Sequence, residues 1–272
     1  MSSDYILAYG THASPQDGQC AMEWVSYLAG EPHSDQPTCV SPVLRAMCIA
    51  LNDGLDQEPR QRLRPYLTRT IGTSEDGLDT WRGWMAMDWL ARAYTPAWLR
   101  LAGLSDRAQA LESAAAVTDA GSLARALESL EAARRESRAA RAKAFGSPLP
   151  TGWATAVAAG VAGREAAWAC AGAAAWAAAR IGIGDIAGDR ARAAARAAAG
   201  DAAAIAVRHS RASACHAGAR AAAQAALEPT LQRLADSALA LLERMLPTEV
   251  LPVPEPELVV PAPARTRTPA VV

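Results

Sequence analysis

Seven residues able to do chemistry fall in one short run, GTHASPQDGQCAMEWVSYLAGEPHSDQPTC: His12, Cys20, Glu23, His33, Ser34, Asp35 and Cys39. Of the five cysteines and four histidines in the chain, Cys20, Cys39, Cys48, His12 and His33 lie before residue 50. Three chemistries suit these residue types. The first is metal binding: His12, Cys20, His33 and Cys39 offer four ligands that zinc accepts, with Glu23 as a fifth candidate. Their intervals of seven, twelve and five residues contain no C-x-x-C pair, the anchor of most zinc sites. The second is thiol catalysis. Cys20 is expected in the first turn of a helix, where the dipole favours a thiolate. His12 or His33 would then be the base, and Asp35 its orienting group. The third is a carboxylate network. Glu23 and Asp88 lie among apolar helix residues, and a buried carboxylate must be paired or protonated. Arg45, Arg82 or His33 would be the partner, and Ser34 and Asp35 would satisfy loop backbone groups.

These residues have to be held by helices. Asp17 is expected to cap a helix over 18–29, with Gly30 just past its end. Ser41 and Pro42 read as the N-cap and first position of a second helix ending near Gly54. Another helix starts at Pro59 and is kinked or split by Pro65. A longer one covers 78–94, and Thr95-Pro96 restarts a short helix that stops near Gly103. Helix starts follow at Ser105 and Thr118, and a charged helix over 122–145 carries Glu128, Glu131, Arg134, Arg135 and Arg138 at intrahelical pairing distances. Alanine-rich helices are expected over 151–181, 185–227 and 228–246, with IGIGDIAG as a turn between the first two. Residues 5–9 are the one short strand candidate. The fold class is therefore all-α: a multi-helix bundle with long alanine-rich hairpins. A tryptophan-rich unit over 1–104 carries the cluster, an alanine- and arginine-rich region over 105–247 packs on it, and a proline-rich tail over 248–272 is expected to be disordered.

Composition narrows the function classes. A net charge of −1 gives no global case for nucleic acid or an anionic membrane. Arginines 192 and 196 make a local basic stripe, but Lys143 is the only lysine and aromatics are not interleaved, so a solvated helix face is expected there. His209, Cys215 and His216 have no fourth ligand nearby and read as helix-surface residues. The run Ala166–Ala179 is too short and too mild to span a bilayer. No Walker-type or dinucleotide-binding glycine loop is present. An odd cysteine count and no secretory leader point to a cytoplasmic protein with reduced thiols.

The N-terminal run, followed by LNDGL, by WMAMDWLARAYTPAWLRLAGL and then by alanine-rich helices, resembles a family of uncharacterised proteins from actinomycetes and their phages. The resemblance covers roughly residues 10–246. It implies a shared helical fold and a bacterial or phage cytoplasmic setting, and it adds Asn52 and Asp53 to the candidate cluster. The expected function is a structural or interaction scaffold with a protein partner or a second copy. The alternative is a metal- or thiol-dependent activity at the cluster, with zinc as the cofactor.

Overall fold

A computed structural model describes residues 5–146, 186–211 and 219–247. The described chain is all-α. Its helices are α1 (Ala21–Leu28), α2 (Pro42–Gly54), α3 (Gln57–Arg60), α4 (Arg64–Leu67), α5 (Asp79–Trp89), α6 (Thr95–Leu101), α7 (Ser105–Glu112), α8 (Ala120–Gly146), α9 (Ile186–Arg211) and α10 (Ala219–Met245). Short 3-10 turns separate several of them. No strand occurs among the described residues. The helix expected over 151–181, most of the IGIGDIAG turn, Cys215, His216 and the tail over 248–272 lie outside the described residues.

Local chemistry explains where the helices begin and end. Ser41 Oγ accepts the Leu44 N–H at 3.4 Å and Pro42 opens α2, as its sequence predicts. Gly30 follows α1 at φ +70°, the left-handed turn that glycine adopts without strain. Around Pro59 and Pro65 the chain alternates single helical and 3-10 turns from Gln57 to Thr70, because each proline removes a backbone donor. Two expectations need correction. Thr95-Pro96 does not restart the helix: a π turn over Leu90–Tyr94 joins α5 to α6 without a break. There Thr95 Oγ1 donates to the Leu90 carbonyl at 2.8 Å, and the widened turn accommodates the proline ring. Likewise no helix starts at 228, because Pro229 lies inside α10.

α9 sits at the centre. It packs mainly along α8 and also meets α6 and α10. Ala191, Ala194, Ala195, Ala198, Ala199, Ala202 and Ala203 are fully buried on it. From Ala202 to Val207 every residue is buried, so no side of this part of the helix faces solvent. The basic stripe is thus not a solvated face. Arg192 and Arg196 are only partly exposed, and Arg192 pairs with Asp189. Across the α8–α9 seam, Arg141 pairs with Asp201 at 3.0 Å and Arg190 with Glu131 at 2.8 Å. The α8 carboxylates therefore also serve neighbouring helices, since Glu136 likewise pairs with Arg107 of α7.

α10 straps this layer to the N-terminal one. Trp89 Nε1 donates to Ser237 Oγ at 2.8 Å, Arg62 pairs with Asp236 at 2.7 Å, and Arg69 pairs with Glu243 at 2.7 Å. Arg82 is fully buried, donates to the Met245 carbonyl at 3.0 Å and reaches Asp76 at 2.5 Å and Asp79 at 3.4 Å. Asp79 in turn accepts the Ser41 hydroxyl. No described helix is long and apolar enough to cross a membrane.

Candidate functional site

Glu23 organises the N-terminal cluster. It is the third residue of α1 and is 1% exposed. Its Oε2 accepts the Cys20 N–H at 2.7 Å, while Cys20 Sγ accepts the Glu23 N–H at 3.5 Å. This is a reciprocal capping box with cysteine in the place usually taken by serine or threonine. The helix therefore starts after Cys20, and the expected cap at Asp17 is incorrect: Asp17 closes a 3-10 turn and accepts the Ser14 hydroxyl at 2.7 Å. The same carboxylate also accepts the His12 N–H at 2.6 Å and faces His12 Nδ1 at 2.8 Å. His33 Nε2 lies 3.0 Å from the His12 carbonyl and 3.8 Å from Glu23 Oε1.

One carboxylate thus ties the chain at residues 12, 20 and 33 to α1. Burial pushes its acidity down. The backbone donors of Cys20 and His12, with the His12 ring, outweigh burial and hold the carboxyl below its ordinary pKa. An ionised Glu23 makes Nδ1 the donor on His12. Nε2 rests against Gly18, where an added Cβ would come within 2.9 Å of it. No thiol or hydroxyl of the described residues is hydrogen-bonded to it.

Asn52 and Asp53, at the end of α2, hold the strand-like entry of the chain. Asn52 accepts the Ala21 N–H at 3.1 Å and donates to the Ala8 carbonyl at 2.9 Å. Asp53 accepts the Gly10 N–H at 3.1 Å. Gln61 closes both polar groups of Leu7, accepting its N–H at 2.9 Å and donating to its carbonyl at 3.1 Å. Residues 5–9 are therefore not a strand: the segment makes one backbone bond, Ala8 N–H to the Gln19 carbonyl at 2.9 Å, and side-chain amides satisfy Leu7 and the Ala8 carbonyl. Tyr5 stacks on Trp24 with centroids 3.6 Å apart, and burial raises the pKa of its hydroxyl.

The other candidates separate by role. Ser34 shapes its loop, accepting Gln36 N–H on Oγ at 3.0 Å and the Ser26 hydroxyl on its carbonyl at 2.6 Å. Asp35 makes no hydrogen bond to a described residue, so it orients neither histidine. Cys39 belongs with Glu31, whose carboxylate accepts the Cys39 N–H at 2.9 Å and the Thr38 N–H at 2.7 Å. The proposed ligand set His12, Cys20, His33 and Cys39 is not assembled. Among the described residues no group of three or more histidine, cysteine, aspartate or glutamate side chains is placed to hold a metal ion. The surroundings of the thiols also run against an activated thiolate. Burial pushes Cys20 up to about 12, and the charge of Glu23 adds to it. Burial also pushes Cys39 up to about 11, with the Glu31 carboxylate reinforcing it, and Cys48 up to about 12. Glu23 pairs with histidines instead of arginine. Asp88 accepts the Val117 N–H at 2.9 Å and faces Arg92 at 3.4 Å.

A second feature has no local signature in the sequence. Leu78, Trp81 and Trp84 recur at three-residue spacing and present one ridge at the start of α5. Leu78 is 40% and Trp81 48% exposed. Trp81 and Trp84, with Met85, Asp88, Val117 and Arg244, border a cleft of about 150 Å³. Comparison with known proteins adds no relative: no family model, no curated protein and no solved structure matches this chain.

Proposed function

We propose that this chain is an interaction scaffold and that the tryptophan ridge at the start of α5 is its contact surface. The observation that carries the reading is the nearly half-exposed Trp81 beside a ready-formed cleft. Exposed tryptophan with an adjacent arginine is the composition that concentrates binding energy at protein interfaces. The state of the N-terminal cluster supports the same reading from the other side. Its carboxylate accepts two backbone N–H groups and faces His12, and burial disfavours the thiolate of Cys20 and, less completely buried, of Cys39. A bacterial or phage setting, with a protein partner or a second copy as the ligand, accords with the resemblance of the N-terminal run.

Affinity capture from extract with the wild-type chain, Trp81→Ala and His12→Ala tests this directly. A partner retained by His12→Ala and lost with Trp81→Ala is the expected outcome. A partner or activity lost only with His12→Ala, or near-stoichiometric zinc in the purified wild-type protein, would move the function to the N-terminal cluster.

A further inference from the structure

Resting on the interaction reading, we infer that the ridge at the start of α5 is a self-association surface. Its occupant is a second copy of this chain, related by a two-fold axis, with Trp81 of each copy seated in the partner's cleft and Arg244 facing the partner's Asp88. Leu78, Trp81, Met85 and Asp88 recur at intervals of three, four and three residues, the spacing of a seam by which one helix packs along another. Another stripe of α5, with Arg82, Ala86 and Trp89, is buried inside the chain, where the helix meets α2 and α10. The helix therefore carries two seams, one filled from within and one open.

Charge decides between occupants. Arg244 is exposed and has no ion pair or hydrogen bond among the described residues. In the same cleft, Asp88 accepts the Val117 N–H at 2.9 Å and faces Arg92 at 3.4 Å, yet 29% of its side chain stays exposed, so its carboxylate keeps room for a further donor. A purely acidic partner would meet Asp88, and a purely basic one would meet Arg244. Like charges brought together in this way oppose binding. The surface calls for a partner that carries one charge of each sign beside an apolar knob. A second copy has that composition by construction, and a two-fold axis makes each contact twice. Trp81, nearly half exposed, is the knob. Trp84 and Met85 of the partner copy line its seat, an indole and a thioether that both pack well on a second indole. The ridge is small beside a standard interface, so the dimer is expected to be weak and dependent on concentration.

Sedimentation velocity of the full chain, run from low to high micromolar concentration, tests the inference. We expect a reversible monomer–dimer equilibrium. Trp81→Ala should weaken it by about 30-fold or more, the loss typical of a buried aromatic anchor, with an unchanged circular dichroism spectrum. Arg244→Gln and Asp88→Asn should each weaken it, and the second should add little once the first is made, because both remove the same contact. Asparagine at 88 still accepts the Val117 N–H, so the fold is kept. Three results would each overturn the inference: a chain that stays monomeric throughout, a dimer indifferent to Trp81→Ala, or effects of the two charge substitutions that simply add. The interaction reading fails separately. It stands if a monomeric chain loses its captured partner with Trp81→Ala, and it falls along with the dimer if that variant loses nothing.

Discussion

The N-terminal unit and the α9 bundle are stabilised in opposite ways. Around Glu23, a few directional polar contacts fix a loop-rich segment: one carboxylate accepts two backbone N–H groups and meets two histidines, while Asn52 and Gln61 stitch down the entry of the chain. Around α9 the contacts are non-directional. Alanines let α8, α6 and α10 approach closely, and arginine–carboxylate pairs sit along the seams. The first mode concentrates stability in single side chains. The second spreads it over many positions, each of which constrains volume instead of chemistry.

The contrast can be broken by substitution. Glu23→Ala should show the largest effect, on the order of 3 kcal/mol in urea unfolding, because it strands the buried donors of Cys20 and His12. The same residue sets an acid limb. Its carboxyl pKa is lowered on folding, so its stabilisation is complete above the unfolded value, near 4.3, and is lost as pH falls through the lower folded value. Glu23→Gln should flatten the dependence of stability on pH below about 4.3, measured by denaturation across that range. Ala198→Leu should cost about 2 kcal/mol by overpacking, with α9 unable to move away from α8. A thermal-melting series of Ala198→Gly, Ser and Leu would show whether volume is the variable that matters. Cys20→Ser should cost below about 1 kcal/mol, since serine makes the same capping box. In the native wild type, Cys20 and Cys48 should react with a thiol reagent at pH 8 far more slowly than after unfolding. Fast native labelling of Cys20 would reopen the thiol chemistry that its burial argues against.

Much of the helical plan was legible because its signals are local. Ser41-Pro42, Gly30 and Pro65 act on their own neighbours, and the structure agrees with each, while the helix expected from Pro59 starts two residues earlier at Gln57. The residues of the cluster were also legible as a group, and Glu23 with His12 and His33 does come together. Their roles were not, because role depends on contacts distant in sequence. Cysteine is an unusual cap, so C-A-M-E carries no capping-box signature in sequence, although Glu23 reaches back to the Cys20 N–H in the fold. Gln61 lies 54 residues from Leu7, and nothing local marks it as the partner of an extended segment. Solvent exposure misled in the same way at Arg192 and Arg196. Arginine spacing along a helix predicts a wet face, but α9 is surrounded by other helices.

The alanines of α9 also bear on how this protein can change over generations. Single-base changes in an alanine codon yield valine, glycine, serine, threonine, proline, aspartate or glutamate. Each of these is larger, polar, charged or helix-weakening, and glycine alone costs about 1 kcal/mol in a helix interior. At a buried position such as Ala195 or Ala199, no one-step neighbour is neutral. Drift should therefore stall along the innermost helix, and substitutions should accumulate on the outward faces of α8 and α10. A reader of aligned sequences would find an invariant stripe and could mistake it for a binding site, when what it records is the distance between two backbones.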